Sequence, residues 1–158
     1  MRVAVVTISD SVSRGEREDG SGPAVRERCG ALGWEVVSTH VVGDRRPAIE
    51  SLLKRLVESG KVDVVLTTGG TGIGPRDVTP EATLRVCARL LPGIGERMRL
   101  EGRAKNPRAD LSRAVAGVRG RVLIVNLPGS PQGAVESLDA IADLLPHAVA
   151  VLRGARHD

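Results

Sequence analysis

The sequence is almost without aromatic residues: among 158 residues it has one Trp and no Phe or Tyr. Sites for single-stranded nucleic acid usually stack bases on aromatic rings, so this composition argues against such a site. No run of basic residues is longer than Arg45 and Arg46, and the net charge of +4 comes from basic residues interleaved with 19 acids. This pattern indicates a mixed, solvated surface rather than a nucleic-acid track. The core must consist of Val, Leu, Ile and Ala.

Cysteine and long apolar runs are scarce too. Cys29 and Cys87 stand alone in helical patterns, with no C-x-x-C pair or neighbouring His, so we interpret them as small apolar residues and expect no disulfide. The apolar start at residues 3–8 is too short for a signal peptide. From the length we expect one domain spanning residues 1–158. Because no signal peptide is recognised, we expect the protein in the cytoplasm and without a membrane partner.

Residues 62–81, VDVVLTTGGTGIGPRDVTPE, carry the strongest functional signal. They start with an apolar run at 62–66 that is typical of a strand buried on both faces of a parallel sheet. The glycines and threonines that follow place backbone N–H groups and hydroxyls at the carboxyl end of that strand, where a ligand can approach closely. Thr79 and Pro80 then predict the N-cap and the first residue of a helix.

The rest of the chain predicts alternating strands and helices. Further strands are expected at residues 3–8 and 34–42, with an antiparallel pair at 111–118 and 122–127. Helices are expected at 23–33, along the apolar face of 49–57, at 80–90, at 94–105 and from 131 onwards. This order predicts a three-layer α/β/α sandwich with a mostly parallel sheet and a short antiparallel element.

Four of the predicted strand ends carry polar residues or glycines, at residues 7–10, 43–44, 69–77 and 128–130. The carboxyl ends of parallel strands lie at one edge of a sheet, and ligands bind there where the strand order reverses. We therefore expect these segments to converge on one site. The glycine loop is not a Walker A motif, because no GK[ST] follows, and GGTGIG lacks the GxGxxG spacing of a dinucleotide fold.

Two carboxylates near these strand ends each have two interpretations. Asp44 fits either the N-cap of the next helix or a metal ligand, and Asp77 fits either a partner of the helix dipole or a site residue. Together they could hold a Mg²⁺ that also binds the oxygens of a nucleoside triphosphate. Asp10 and Ser130 likewise fit either site residues or residues of a cap or turn. The three His residues are scattered without metal-binding spacing.

Several short motifs resemble those of the molybdopterin adenylyltransferase family, also called the MoaB/Mog family, over nearly the whole chain. They are TISD (7–10), DGSG (19–22), TTGGTG (67–72), RDVTPEA (76–82), PGIGERMR (92–99), LSRA (111–114) and NLPGSP (126–131). The related CinA family usually carries GGLGPT and a paired Asp in the loop. Thr71 and the single Asp77 of this sequence are similar to the molybdopterin branch, which leaves a CinA-like nucleotide-processing domain as the weaker alternative.

The resemblance implies an enzyme that transfers AMP from Mg-ATP to the terminal phosphate of molybdopterin and releases pyrophosphate, ahead of molybdate or tungstate insertion. The substrate supplies the nucleophile, so the protein has to position the reactants and neutralise charge. Asp44 and Asp77 match the family's two essential Asp residues and are expected to be catalytic and to hold Mg²⁺. A non-catalytic molybdopterin-binding or assembly module of the same fold is the alternative.

The resemblance also implies a homotrimer or a hexamer, with the molybdate-inserting protein as a further partner. It does not say which loop holds adenine and which holds the pterin. The residues expected to bind ATP or molybdopterin all lie in the motifs at the strand ends or in LSRA. They are Thr7, Ser9, Asp10, Thr68, Gly69, Gly70, Thr71, Gly72, Ser112, Arg113, Pro128, Gly129 and Ser130.

Overall fold

The computed structural model describes residues 1–156, and it contains six strands and seven α-helices in that part of the chain. The strands are β1 (Arg2–Ile8), β2 (Glu35–Val42), β3 (Val64–Thr68), β4 (Arg89–Leu90), β5 (Ala116–Arg119) and β6 (Val122–Leu127). The helices are α1 (Asp10–Ser13), α2 (Ser21–Ala31), α3 (Arg46–Glu58), α4 (Thr79–Val86), α5 (Pro92–Arg103), α6 (Pro131–Ile141) and α7 (Leu144–Leu152), with a short 3-10 helix at Pro107–Leu111.

One six-stranded sheet runs through the molecule in the order β2-β1-β3-β6-β5-β4. The pairs β1/β2, β1/β3 and β3/β6 are parallel, whereas β5 pairs antiparallel with both β6 and β4. The mostly parallel sheet with an antiparallel element is therefore confirmed. From β1 the chain passes outward to β2 and then returns to β3 on the other side of β1. The strand order reverses between the carboxyl ends of β1 and β3, where a ligand crevice is expected.

The two faces of the sheet are covered by different helices. In β1, Val3 and Val5 belong to the core shared with α2, α5, α6 and α7, whereas Ala4 and Val6 belong to the core shared with α3 and α4. This alternation follows from the two-residue period of a strand, and it explains why the parallel strands read as continuous apolar runs. Both cores are aliphatic, as the composition predicted, and Cys29 is a free, fully buried thiol among them.

The helix predicted at residues 80–90 ends early, at Val86. Cys87 adopts an extended conformation, and the next residues form the edge strand β4. The N–H of Ala88 donates to the carbonyl of Val118, and the N–H of Leu91 donates to that of Ala116, so bonds to β5 replace the last helical turn. Gly117 permits this approach, because a Cβ there would lie 2.7 Å from the Arg89 carbonyl oxygen. The predicted helix was wrong in its second half.

Two other boundaries differ from the prediction. The segment 111–118 is a strand only from residue 116, because Pro107–Leu111 forms the 3-10 helix instead. Helix α2 begins at Ser21 rather than Pro23, and the Ser21 hydroxyl lies 2.8 Å from the Thr68 hydroxyl at the end of β3. None of the helices in residues 1–156 is long and apolar enough to cross a membrane.

At the end of the sheet opposite the glycine loop, just before β3, Asp63 connects three parts of the chain. It is 4 % exposed and accepts hydrogen bonds from the Arg2 backbone N–H at 2.7 Å, from Arg2 Nη2 at 3.1 Å and from Arg153 Nη2 at 2.5 Å. Burial alone would raise the pKa of this carboxyl, but the bonds from Arg2 and Arg153 lower it to about 2. Asp63 therefore holds β1, the start of β3 and the end of α7 together as an ion-pair network.

Replacing Asp63 by Asn should lower the free energy of unfolding at pH 7 by about 1–3 kcal/mol, because the amide keeps the shape but loses the charge that both arginines contact. The pKa of Asp63 is depressed on folding, so its contribution is complete above about pH 4 and falls as the pH approaches 2. Urea unfolding of both proteins across this range should show the difference narrowing. A difference that does not change with pH would contradict this assignment.

Candidate functional site

The glycine loop after β3 fits into a space that excludes side chains. Gly69 and Gly70 have φ of +93° and +67°, which favour glycine. A Cβ on Gly69 would collide with the Ile8 carbonyl oxygen, and a Cβ on Gly70 would collide with the Thr79 hydroxyl. Thr79 Oγ1 donates to the Gly69 carbonyl at 2.9 Å, and the N-cap of α4 is Val78. The predicted N-cap role of Thr79 is wrong, because its hydroxyl anchors the loop instead.

Asp10 and Asp44 join the ends of β1 and β2 by two reciprocal hydrogen bonds. The Asp10 N–H donates to Asp44 Oδ2 at 2.9 Å, and the Asp44 N–H donates to Asp10 Oδ1 at 2.8 Å. Arg76 Nη1 also donates to Asp10 Oδ2 at 2.8 Å. Asp44 is not a helix cap, because the N-cap of α3 is Arg45. The structure thus places this pair at the crevice, with one oxygen of Asp44 outside the reciprocal bonds.

Asp77 follows the glycine loop in the sequence, and its side chain contacts the loop. Its Oδ2 accepts a hydrogen bond from the Gly74 N–H at 2.9 Å, and a Cβ on Gly72 or Gly74 would lie 2.9 Å from that oxygen. These glycines therefore leave room for the carboxylate to turn back over its own loop. Asp44 Oδ1 lies 3.3 Å from the Cβ position of Gly70, so both carboxylates contact the same short loop.

The electrostatics of the carboxylates differ. Burial raises the pKa of the Asp44 carboxyl above its ordinary value; the hydrogen bond from the Asp10 N–H lowers it, and the negative charges of Asp10 and Asp77 raise it again. The pKa of Asp10 is lowered, first by the Asp44 N–H and then by the guanidinium of Arg76. Asp44 therefore carries a partly buried charge that a bound cation would stabilise.

Two clefts open at this edge of the sheet and share one wall. The arginine cleft, about 800 Å³, is bounded by the ends of β1, β2 and β3 and is lined by Arg14, Arg17 and Arg76. The apolar cleft, about 500 Å³, lies between the glycine loop, α5 and the 3-10 helix, with Met98, Leu111 and Ile73 in its lining. Four residues line both clefts and form the shared wall: Gly70, Asp77, Gly129 and Ser130.

The predicted threonines of the strand ends hold the DGSG segment in place. Thr7 Oγ1 donates to Asp19 Oδ2 at 2.7 Å, and the Thr68 hydroxyl contacts Ser21. Both threonines are buried, so their hydroxyls stabilise the wall of the arginine cleft through these hydrogen bonds. Ser9 is the N-cap of α1 and accepts a hydrogen bond from the Val12 N–H.

The remaining predicted residues lie at the shared wall or in the apolar cleft. Ser130 is the N-cap of α6, as one of its two interpretations had it, and accepts a hydrogen bond from the Gly133 N–H at 3.1 Å. Pro128 and Ser112 line the apolar cleft, together with Thr71 and Gly72 of the loop. Arg113 does not appear among the lining residues, because its side chain turns towards the backbone of the glycine loop.

The sequence did not lead us to the arginines that line the arginine cleft, or to the side chains that line the apolar cleft. Arg76 adjoins Asp77 in the RDVTPEA motif, which was an available signal, whereas Arg14 and Arg17 stand in a polar segment without periodicity. Met98 and Leu111 lie in the PGIGERMR and LSRA motifs, but their cleft forms only when α5 and the 3-10 helix pack beside the loop.

Asp44 and Asp77 both line the arginine cleft, where they would supply two of the oxygen ligands of a Mg²⁺. Within residues 1–156 no three or more His, Cys, Asp or Glu side chains form a metal-binding group. Mg²⁺ in phosphate-transferring sites is usually held by one or two carboxylates together with substrate phosphates and waters. Asp44 and Asp77, whose negative charges disfavour each other, fit this arrangement.

The fold and the site together define an α/β protein with two clefts at the switch point of its sheet, and Asp77 lines both of them. Residues 4–147 match the family model described as a probable molybdopterin binding domain, and the chain belongs to this family.

Similar proteins agree with this membership. Molybdopterin adenylyltransferase from Helicobacter pylori strain J99 is 40 % identical over 156 residues, which are 98 % of this chain and 89 % of that protein. The crystal structure of the molybdopterin biosynthesis enzyme MoaB from Thermus thermophilus superposes with a TM-score of 0.91 at 48 % identity, covering 99 % of both chains. The predicted resemblance to the MoaB/Mog family is therefore confirmed.

A more distant structure shows how far the fold extends. The CinA protein from Thermoplasma acidophilum superposes with a TM-score of 0.72 over 92 % of this chain and 99 % of that one, at 16 % identity. At this identity the likeness concerns the fold alone.

Replacing Gly70 by Ala should destabilise the protein more than replacing Gly120 by Ala. Both glycines have positive φ, but only at Gly70 would a Cβ also meet the Thr79 hydroxyl, since no atom lies within 4 Å of that position at Gly120. We expect about 1 kcal/mol for Gly120→Ala and about 2–3 kcal/mol for Gly70→Ala in chemical unfolding. Equal losses would mean that the loop has room for a side chain.

Proposed function

We propose that this protein is a Mg-ATP-dependent molybdopterin adenylyltransferase. The observation that carries the proposal is the shared wall, where a cleft rich in arginine and a cleft rich in apolar side chains meet at Asp77, with Asp44 in the lining of the arginine cleft. A transfer between two large substrates needs two such binding spaces with one common point. The family membership and the name of the Helicobacter pylori relative support the same reaction.

ATP fits the arginine cleft best. Arg14, Arg17 and Arg76 all line it, and guanidinium groups bind phosphate oxygens through paired donors. Arg76 is paired with Asp10, with a side chain that is 73 % exposed, so a triphosphate could compete for it at little cost. We therefore assign the β- and γ-phosphates to this side of the loop.

Molybdopterin fits the apolar cleft. Met98 and Leu111 offer contacts for a planar ring, and Ser112 and Asn106 offer polar groups at its edge. Helix α6 begins at the shared wall, and the free backbone N–H groups of a helix N-terminus favour a bound phosphate. The terminal phosphate of molybdopterin would then lie beside Ser130, pointing towards the arginine cleft.

In this arrangement an oxygen of the molybdopterin phosphate attacks the α-phosphorus of ATP. The new P–O bond forms as the bond to the β-phosphate oxygen breaks, and pyrophosphate leaves along the arginine cleft. The protein's residues hold the two phosphates in line and keep the glycine-loop N–H groups close to them. A Mg²⁺ held by Asp44 and Asp77 would neutralise the charge that the phosphates bring together.

Asp44→Asn and Asp77→Asn should each lower the rate of AMP transfer on the order of 100-fold or more, because each removes a charge at the point where the phosphates meet. Asn keeps an oxygen that can accept the Asp10 or Gly74 N–H, so the fold should persist. Pyrophosphate release with molybdopterin and Mg-ATP measures the effect. Asp143→Asn, an exposed carboxylate paired with Arg97, is the control and should keep full activity.

The alternatives give different results in the same assay. Tight molybdopterin binding without any pyrophosphate release at saturating Mg-ATP would favour a non-catalytic binding or assembly module. Turnover of another nucleotide in place of this transfer would favour a CinA-like domain. Full activity in both Asn variants would overturn the assignment of the two carboxylates.

A homotrimer or a hexamer is also part of the proposal. The outer strand β2 exposes Val37 and Val41, and the opposite edge strand β4 exposes Leu90, so apolar groups are available at both sheet edges for a second copy. Light scattering of the purified protein should give a mass three or six times that of one chain, and a monomer would contradict this. A cytoplasmic location and contact with a molybdate-inserting protein remain predictions.

A further inference from the structure

Arg113 makes four hydrogen bonds to the segment that carries Asp77. Its backbone N–H donates to the Thr71 carbonyl at 2.8 Å, Nε donates to the Gly72 carbonyl at 2.7 Å, and Nη2 donates to the Asp77 carbonyl at 2.7 Å. Nη1 forms a short charged bond to Glu81 in the first turn of α4. One side chain thus spans the loop from its glycines to the helix that follows it.

A second arginine fixes the segment from which Arg113 projects. Arg99 Nη1, from α5, donates to the carbonyls of Ser112 and Ala114 at 3.3 and 3.0 Å. Gly95 lies beneath this contact, since a Cβ there would lie 2.8 Å from the Ala114 carbonyl oxygen. The segment 112–114 is therefore held on one side by α5, and it holds the glycine loop on the other.

We propose that Arg113 is a positioning residue that fixes Asp77 and the wall of the apolar cleft, and that it does not itself bind a substrate. All of its donor groups that bond in the structure face protein oxygens, and it is absent from the lining of both clefts. This revises the ligand-binding role that the family resemblance implied for it. The catalytic consequence rests on the proposed adenylyl transfer.

The geometry calls for arginine at this position. The planar guanidinium directs its donors to three acceptors at once, whereas a lysine ammonium is a single charged point at the end of a flexible chain. Burial alone would raise the pKa of the Glu81 carboxyl, but Arg113 lowers it, so the pair is charged at neutral pH. Arg113→Lys would keep the contact with Glu81 and lose at least one of the two carbonyls.

The first measurement is hydrogen exchange in the ligand-free protein. In Arg113→Lys and Arg113→Gln, amides in residues 70–77 should exchange about tenfold faster, because the loop has lost one or both of the side-chain bonds to the Gly72 and Asp77 carbonyls. Exchange in β1 and β6 should not change. Arg28→Gln is a matched control, because the Arg28–Asp139 pair has nearly the same exposure, 38 % and 43 %, as the Arg113–Glu81 pair, 37 % and 43 %.

The second measurement is steady-state kinetics of AMP transfer. Arg113→Lys should lower kcat by about 10–100-fold, as expected when a reacting group is displaced by about 1 Å. The KM for ATP should stay within about threefold, because the arginines of the other cleft are unchanged. Glu81→Gln should have a smaller effect, since the two carbonyl bonds of Arg113 remain, and Arg28→Gln should have none.

Three outcomes decide the matter. Wild-type exchange in both Arg113 variants, or faster exchange with unchanged kcat, would overturn the positioning role. If the wild-type protein itself transfers no AMP, the proposed function fails, and the positioning role is then decided by exchange and by molybdopterin affinity. That affinity should fall about tenfold in Arg113→Lys and remain unchanged in Arg28→Gln.

Discussion

The site depends on how closely three strand ends approach one another. The Gly69 N–H donates to the carbonyl at the end of β6 at 3.1 Å, and a Cβ on Gly129 would lie 3.3 Å from the Gly69 Cα. The Ile8 carbonyl at the end of β1 occupies the space where a Gly69 side chain would be. Because only backbone is present here, residues from β1, β3 and β6 can share one wall, and both clefts reach the same small region.

The carboxylates at this wall are oriented by backbone N–H groups. The carboxylates of Asp10, Asp44 and Asp77 each accept a bond from a main-chain amide, and of these three carboxylates only that of Asp10 also contacts an arginine. Such bonds fix direction without neutralising the charge fully, which leaves Asp44 and Asp77 available to a cation. The arginines that balance this charge stand around the cleft, where they can exchange protein partners for phosphate.

The strands and the convergence of their ends could be predicted because they follow from local patterns: apolar runs of one strand length, followed by glycines or hydroxyls. The boundary errors arose where a local pattern competed with a distant partner. Thr79-Pro80-Glu81 is typical of a helix start, yet the Thr79 hydroxyl bonds to the Gly69 carbonyl. Arg89 and Leu90 continue a helical pattern, yet their neighbours bond to β5. The local sequence gives no sign that the edge of the sheet is available to replace the helical hydrogen bonds.

The candidate site was predictable in the same uneven way. Asp44 and Asp77 could be singled out because they follow strand ends, but the division into two clefts required the position of α5, which only tertiary packing determines. The role of Arg113 was hidden for a related reason. Both side-chain bonds of Arg113 to the loop go to main-chain carbonyls, which leave no trace in the identities of residues 72 and 77.

The Asp63 network has a consequence for how the molecule can be joined to others. It brings Arg2, at the start of β1, and Arg153, just after α7, onto the same carboxylate, at the edge of the sheet away from the glycine loop. Both ends of the folded region therefore leave the molecule from one small surface. A domain fused at either end would therefore be attached at the opposite end of the sheet from the clefts.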